Sequence, residues 1–183
     1  TLYQAFLVSS LRRDGPYWML VLNGQQGSET SVLSAVTRSL IDPSQVVSQG
    51  SFKNENDLVI AAQNSHLLVF DNLSKITDPQ SDALCRLVTG SGLRARELYT
   101  DSNENLMQVV NPVVLNGITN FVTRPDLEDR SLQLWLKPLP SRKPEQTFWE
   151  EFEEAKPSIL GGLYSAVSKA ISRLDSVEVT DDI

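Results

Sequence analysis

Histidine, cysteine and clustered positive charge are what this sequence is short of. His66 is the single histidine, so no His-based metal cluster can form and no Ser-His or Cys-His nucleophile pair stands out. Cys85 is the single cysteine and cannot close an internal disulfide, which makes a reducing cytoplasm the expected compartment. No apolar run approaches the roughly 20 residues that cross a bilayer, so no membrane partner is expected, and no stretch reads as a secretory signal. The net charge of -7 argues against a generic nucleic-acid-binding surface, because counterion release needs gathered Lys and Arg. It leaves room for a local basic loop, and two small groups exist, Arg12-Arg13 and Arg94/Arg96. Trp135, Trp149 and Phe152 read as packing residues, with no aromatic ladder for base stacking.

What is present suits one sizeable core: 183 residues, 40% hydrophobic and 21% charged. The chain opens on Thr1 and passes directly into apolar Leu7-Val8, which reads as a piece of a longer protein. Residues 1–12 have helical spacing, and Asp14-Gly15-Pro16 breaks it. Tyr17–Leu22 reads as a buried strand and Thr30 to Ile41 as a helix with Leu33, Val36 and Leu40 inward, stopped by Asp42-Pro43. Val46-Val47 reads as a short strand and Asn54–Asn64 as a helix. Leu67–Phe70 is a second buried strand, ending in Asp71. A helix runs from Asp78-Pro79 to about Val88, with Asp82/Arg86 as an i,i+4 pair. Leu93–Thr100 and Asn105–Val109 read as hairpin arms, Pro112–Gly117 as a third buried strand and Ser131–Leu136 as a fourth. Pro138–Pro144 is a hinge, and helices follow at Gln146–Ala155 and Pro157–Leu174. The expected organisation is a core over 1–140, a helical segment over 145–174 packed on it, and an acidic tail over 175–183.

The stretch that organises the rest is Gly24–Ser31, between the first strand and its helix. Glycines there let backbone N–H groups face an anion, and the helix N-terminus favours negative charge. The Walker A pattern is G-x-x-x-x-G-K-[ST]. Gly24 and Ser31 fit its ends, but Glu29 stands at the second Gly and Thr30 where the Lys should be. Asp71 at the end of the second strand fits a Mg²⁺-holding acid, Asn116 after Val113–Leu115 fits a polar sensor, and Arg124 and Arg130 stand where an arginine finger would.

Several stretches carry a family resemblance: Gly24–Ser31, Phe70–Ser74, Ser81–Leu87, Thr89-Gly90-Ser91-Gly92 with Arg96–Asp101, Val114–Ile118, and Thr123–Leu127 with Asp129-Arg130. Spread over roughly residues 5–174, they make the chain resemble the AAA+-like, phage- and mobile-element-associated ATP-binding proteins related to superfamily 3 and poxvirus-type primase-helicases. The resemblance implies an α/β, three-layer P-loop NTPase fold (AAA+/ASCE-like) with a mainly parallel central sheet, an inserted β-hairpin and C-terminal helices. It implies ATP and Mg²⁺ as cofactors, a ring-shaped homo-oligomer, and single-stranded DNA as a partner in replication. On it, Gly24, Gln26, Gly27, Ser28, Glu29, Thr30 and Ser31 would bind the nucleotide, with Ser31 and Asp71 holding Mg²⁺. Asp71, Asn72, Asn116, Arg130 and Arg124 would form the catalytic set, the arginines acting on a neighbour's nucleotide. Arg94 and Arg96, in a hairpin that lines the pore of such helicases, would face DNA.

The departures bear on activity. Thr30 removes the point charge that meets the β- and γ-phosphates, Glu29 puts a carboxylate beside them, and Asn72 replaces a common catalytic Glu; an amide can orient water but cannot take its proton. The expected outcome is weak nucleotide binding with little hydrolysis, and the alternative is a non-catalytic scaffold or regulatory subunit. The residues alone also allow plainer roles. Gly24–Ser31 could be an ordinary strand-to-helix turn, Asp71 a strand-end cap, Asn116 turn chemistry with Gly117, and Arg130 a surface ion pair with Asp126 or Asp129.

Overall fold

The computed structural model describes residues 1–25, 28–94, 106–107, 109–118 and 120–176. The chain divides into two compact units, Thr1–Ser141 and Arg142–Ile183.

The first unit is built on four strands: β1 (Met19–Gly24), β2 (Leu68–Phe70), β5 (Val113–Gly117) and β6 (Ser131–Leu136), in the order β2-β5-β1-β6. All three pairings are parallel, with Met19 opposite Val113 and Ser131, and Leu68 opposite Val113. Every residue of β1, β2 and β5 is buried, as parallel strands covered on both faces require. Side chains alternate across the sheet. Met19, Val21, Leu68, Phe70, Val113 and Leu115 share a core with residues of α3 (Glu55–Asn64) and α4 (Asp78–Thr89). The other face meets α1 (Leu2–Ser10) and α2 (Thr30–Ile41). The result is the expected three-layer α/β arrangement with a parallel sheet.

Local chemistry sets three of the helix starts. Thr1 with Gln4, and Thr77 with Gln80, form capping boxes, and Asn54 accepts from the Asp57 amide at 3.0 Å. Gly90, at φ 76°, ends α4 in the left-handed conformation that glycine adopts without cost.

The buried face of α2 differs from the expected one. Ser34, Thr37, Arg38 and Leu40 are buried, while Leu33 and Val36 are only half-buried. Each of these polar side chains has found partners, with only Arg38 Nε left without one among the described residues, which is what allows their burial. Ser34 Oγ donates to Thr30 O at 3.0 Å, and Thr37 Oγ1 to Leu33 O at 2.7 Å. Arg38, 5% exposed, donates to Leu67 O and to Ser65 Oγ and pairs with Asp42 at 3.1 Å. Asp42 in turn accepts from the Leu67 amide at 3.0 Å. Burial pushes the Arg38 guanidinium pKa down, and Asp42 offsets part of that.

Other expectations are corrected. Val46 and Val47 are exposed and form no strand; among the described residues the sheet edge is extended only by a bridge from Gln49 to Phe70. Asp82 and Arg86 do not pair along α4, because Arg86 reaches Glu55 at 2.9 Å and Asp82 is taken by Arg124 at 2.9 Å. The hairpin appears as β3 (Leu93–Arg94) antiparallel to β4 (Leu106–Met107), and the rest of its expected arms lies outside the described residues. Between β5 and β6 lies the short helix α5 (Pro125–Glu128).

The second unit is one helix, α6 (Glu145–Ile171), followed by a single 3₁₀ turn, in place of the two expected helices. Pro157 lies inside it. A proline there removes one backbone hydrogen bond and crowds the preceding turn, at about 3 kcal/mol. Contacts within the preceding turns hold the helix through this point. Phe148, Trp149 and Phe152 pack ring against ring at 5.3–6.5 Å, and the Lys156 ammonium lies 5.8 Å over the Phe152 ring.

Two glycine substitutions separate crowding from helix propensity. A Cβ at Gly117 would overlap the Leu73 carbonyl oxygen, whereas one at Gly161 meets open space. Gly117→Ala is expected to destabilise the protein by about 1–3 kcal/mol. Gly161→Ala should stabilise α6 by about 0.5–1 kcal/mol. Urea unfolding followed by circular dichroism reads both signs.

Candidate functional site

Because β1, β2, β5 and β6 run parallel, their carboxyl ends lie along one edge of the sheet, where open α/β sheets bind ligands. Three of the expected site segments converge there: the loop after β1, the acidic end of β2 and the polar end of β5.

The loop is tight. A Cβ at Gly24 would overlap Ser28 Oγ and lie 2.8 Å from Ser28 Cβ, so only glycine fits. The Ser28 amide donates to Gln25 O at 3.0 Å, closing a turn. Ser28 is buried, and its Oγ has no hydrogen-bond partner among the described residues. Glu29 takes a left-handed conformation, φ 56°, and turns the chain into α2 without a side-chain cap. The first bond of the helix is Leu33 N to Glu29 O at 3.0 Å, so the amides of residues 30–32 precede the intrahelical ladder. Gln26 and Gly27 lie outside the described residues.

Ser31 is exposed on the first turn of α2, and its Oγ donates to Asp71 Oδ1 at 3.0 Å. The Asp71 amide is held by Gln49 O at 2.9 Å, and its carboxylate forms no ion pair among the described residues. A hydroxyl and a carboxylate side by side at a helix N-terminus are hard oxygen donors of the kind Mg²⁺ takes, usually with several waters retained. Thr30, in the position of the missing Lys, places Cγ2 3.1 Å from where a Gly24 Cβ would be and brings no charge.

Asn116 joins these parts. It is 1% exposed. Its Nδ2 donates to Ser34 Oγ at 2.7 Å, its Oδ1 accepts from the Asn72 amide at 3.0 Å, and its carbonyl accepts from Leu73 N at 2.8 Å. Asn72, at φ 58°, is exposed and sits in a left-handed turn that asparagine tolerates. In this arrangement the Asn116 amide is spent on α2 and on the end of β2 and does not open onto the edge. Ser34 was not singled out from the sequence. Its one signal is its place a turn beyond Ser31, on a helix face otherwise expected to be apolar.

The arginines lie elsewhere. Arg124 grips Asp126 with two bonds, Nε to Oδ1 at 3.0 Å and a terminal nitrogen to Oδ2 at 2.8 Å, and also reaches Asp82 at 2.9 Å and Asp78 at 3.8 Å. Arg130 donates to Asp126 O at 2.7 Å rather than to the Asp126 or Asp129 carboxylates. Its own carbonyl accepts from Met19 N, the first residue of β1, at 2.9 Å. The length of β1, about 17 Å at the usual rise per residue, therefore separates it from Gly24. It cannot serve the loop of its own chain. Arg94 lies on β3, and Arg96 lies outside the described residues.

His66 is structural, with Nε2 2.7 Å from Ser10 O and its ring edge-on to Tyr17. Burial raises the Cys85 thiol pKa, consistent with a packing role. No group of three or more His, Cys, Asp or Glu gathers as a metal cluster among the described residues, and no described helix is long and apolar enough to cross a membrane.

The family model of actinomycete integrative conjugative element replication proteins matches residues 1–182. Among solved structures, JCV helicase bound to a thiazolopyridinyl-phenoxyphenyl acetamide is 14% identical, with a TM-score of 0.42 over 76% of this chain and 46% of that one. Inhibitor-bound JCV helicase is 14% identical, TM-score 0.44, over 98% and 61%. A DNA polymerase III gamma subunit-related protein of Thermotoga maritima is 12% identical, TM-score 0.45, over 98% and 62%. The chain thus spans about half to three-fifths of the length of these proteins. No curated protein matches it.

The Arg124 clamp has a pH signature. Its bonds to Asp126 hold that carboxyl below the usual range, and Asp126 raises the arginine in return. A depressed carboxylate contributes stability above its unfolded pKa and loses it as pH falls through the folded one. An NMR titration should give Asp126 a midpoint below the ordinary aspartate range. Arg124→Gln should return that midpoint to the ordinary range.

Proposed function

This chain belongs to the family of actinomycete integrative conjugative element replication proteins, and we propose that it is a degenerate, helicase-like P-loop ATPase domain acting on nucleic acid in replication. The observation that carries the reading is the 3.0 Å bond from Ser31 Oγ to Asp71 Oδ1. It joins the first turn of the helix after a glycine turn to the acidic end of a neighbouring strand, residues 40 positions apart. A plain strand-to-helix turn does not require that pairing; a Mg²⁺-nucleotide site does.

In this reading the amides of 24–31 face the phosphates, and Ser31 and Asp71 hold Mg²⁺. Bound there, the metal would neutralise charge on the phosphates. Asn72, exposed at the edge, orients water without accepting its proton. Asn116 acts by keeping α2 and Asp71 in register. Arg130 starts a strand's length from the loop of its own chain, and Arg124 is held by carboxylates of α4 and α5, so in this reading any action on nucleotide is on a neighbouring subunit's, as a ring-shaped homo-oligomer would allow. Arg94 and Arg96 on the hairpin meet single-stranded DNA.

Thr30 and Glu29 fit this site poorly. Ser28 packed over Gly24, and Arg124 held by three carboxylates, favour the second reading, a scaffold or regulatory subunit that keeps the fold without turnover.

Calorimetric titration of ATP with Mg²⁺ tests the site. The chain as it stands should bind weakly. Thr30→Lys should tighten binding about 10- to 100-fold, since a charge-assisted hydrogen bond contributes about 1.5–3 kcal/mol. Asp71→Asn should remove the dependence on Mg²⁺. Absence of binding in both the chain and a well-folded Thr30→Lys variant overturns the nucleotide reading and leaves the scaffold.

A further inference from the structure

The turn after β1 is arranged for an anion, yet no residue from 24 to 31 carries positive charge. The amides of residues 30–32 lie ahead of the α2 ladder, and the helix dipole adds to them. Ser28 is 5% exposed and its Oγ has no partner among the described residues. A buried hydroxyl left in that state is satisfied by an oxygen brought to the turn from outside the chain. What the turn lacks is a cation, and Thr30 does not provide one.

The register of the sheet brings one in from another strand. β6 pairs directly with β1, and its last residue, Leu136, stands opposite Gly24, one strand spacing of about 4.8 Å away. Lys137 is the next residue, so it leaves β6 beside the start of the turn. Pro138 follows it and disfavours a helical conformation at Lys137, which keeps the chain extended along that edge. Lys137 is exposed and has no hydrogen bond or ion pair among the described residues. Three described arginines are taken or distant. Arg38 is buried against Asp42, Arg124 is gripped by carboxylates, and Arg130 lies at the other end of β1.

We propose that Lys137 is the cation of this loop, meeting the phosphates of a nucleotide held at the N-terminus of α2 and replacing in part the lysine that position 30 does not supply. The inference rests on the nucleotide reading above and names the residue that completes its site. An ammonium on a four-carbon stem acts as a point charge and needs no fixed fork geometry, so it can serve the same phosphates from a different backbone position. Ordering a free, exposed lysine costs side-chain entropy, and solvent screens its charge, so the replacement is weaker than a lysine within the loop. The two cations would occupy one role. Their effects on affinity are therefore not additive, which a merely structural lysine at the end of β6 would not produce.

The test is calorimetric titration of ATP with Mg²⁺ into the full chain and four variants, with circular dichroism as the check on folding. Lys137→Gln should weaken binding about 3- to 10-fold. In a Thr30→Lys background the same change should cost less than about 2-fold, because the loop then holds its own cation. Lys75→Gln removes an exposed lysine that follows β2, two strands from β1, and should leave affinity unchanged. An equal loss in Lys75→Gln and Lys137→Gln would mark a general charge effect and overturn the proposal. So would unchanged affinity in Lys137→Gln, or an undiminished loss in the Thr30→Lys background. Binding by Thr30→Lys but not by the chain itself also overturns it, and leaves the nucleotide reading standing. Binding by neither overturns both.

Discussion

The Asn116 side chain is the group on which the carboxyl edge depends. One amide reaches α2 through Ser34 and the end of β2 through the Asn72 backbone, while its own peptide carbonyl holds Leu73. Each such bond is worth about 0.5–1.5 kcal/mol net, and leaving a buried partner unsatisfied costs about 1–3 kcal/mol. The larger consequence is geometric. Ser31 lies one turn before Ser34, and Asp71 lies one residue before Asn72. Fixing Ser34 and Asn72 to a single amide brings the Ser31 hydroxyl and the Asp71 carboxylate to 3.0 Å. Gly117 completes the arrangement, since only a residue without Cβ lets the Leu73 carbonyl come so near.

Much of the frame was legible in the sequence because its signals are local. Continuous apolar runs marked β1, β2 and β5, while Asp78-Pro79 and the Thr89-Gly90 pair bracketed α4. What stayed hidden was whatever depended on a distant partner. The inward face of α2 was read from Leu33 and Val36, yet Ser34, Thr37 and Arg38 are the buried residues. Their burial follows from Asn116, Tyr3 and the Leu67 carbonyl, none of which lies on the helix. Asp82 and Arg86 fit the spacing of a helix-surface pair, worth only a few tenths of a kcal/mol. Glu55 and Arg124 offered better partners from other elements. Pro157 fails as a helix stop for a related reason, because ring packing and a lysine over Phe152 support the turns before it.

The site itself was legible in part. Gly24, Ser31 and Asp71 follow from chain order and from the chemistry of a phosphate loop, and the structure brings them to one edge. The situation of Asn116 was not legible, since a polar residue at a strand end reads the same whether it faces a ligand or ties strands together. Nor was the separation of the arginines. Arg124 and Arg130 follow β5 closely in sequence, but β6 starts at the opposite edge of the sheet and takes Arg130 with it.

On the proposed nucleotide reading, a loop without lysine and an intact fold are compatible for a physical reason. On that reading a lysine at position 30 would touch the ligand, whereas Ser34 and Asn72 bond to Asn116 within the chain and Gly117 packs against the Leu73 carbonyl. In that reading, Thr30 in place of a lysine withdraws a charge from the nucleotide and leaves those internal bonds intact. Replacing Asn116 would instead loosen α2 and the end of β2 together. The proposed nucleotide affinity and the architecture therefore rest on different residues, and the first can weaken while the second holds.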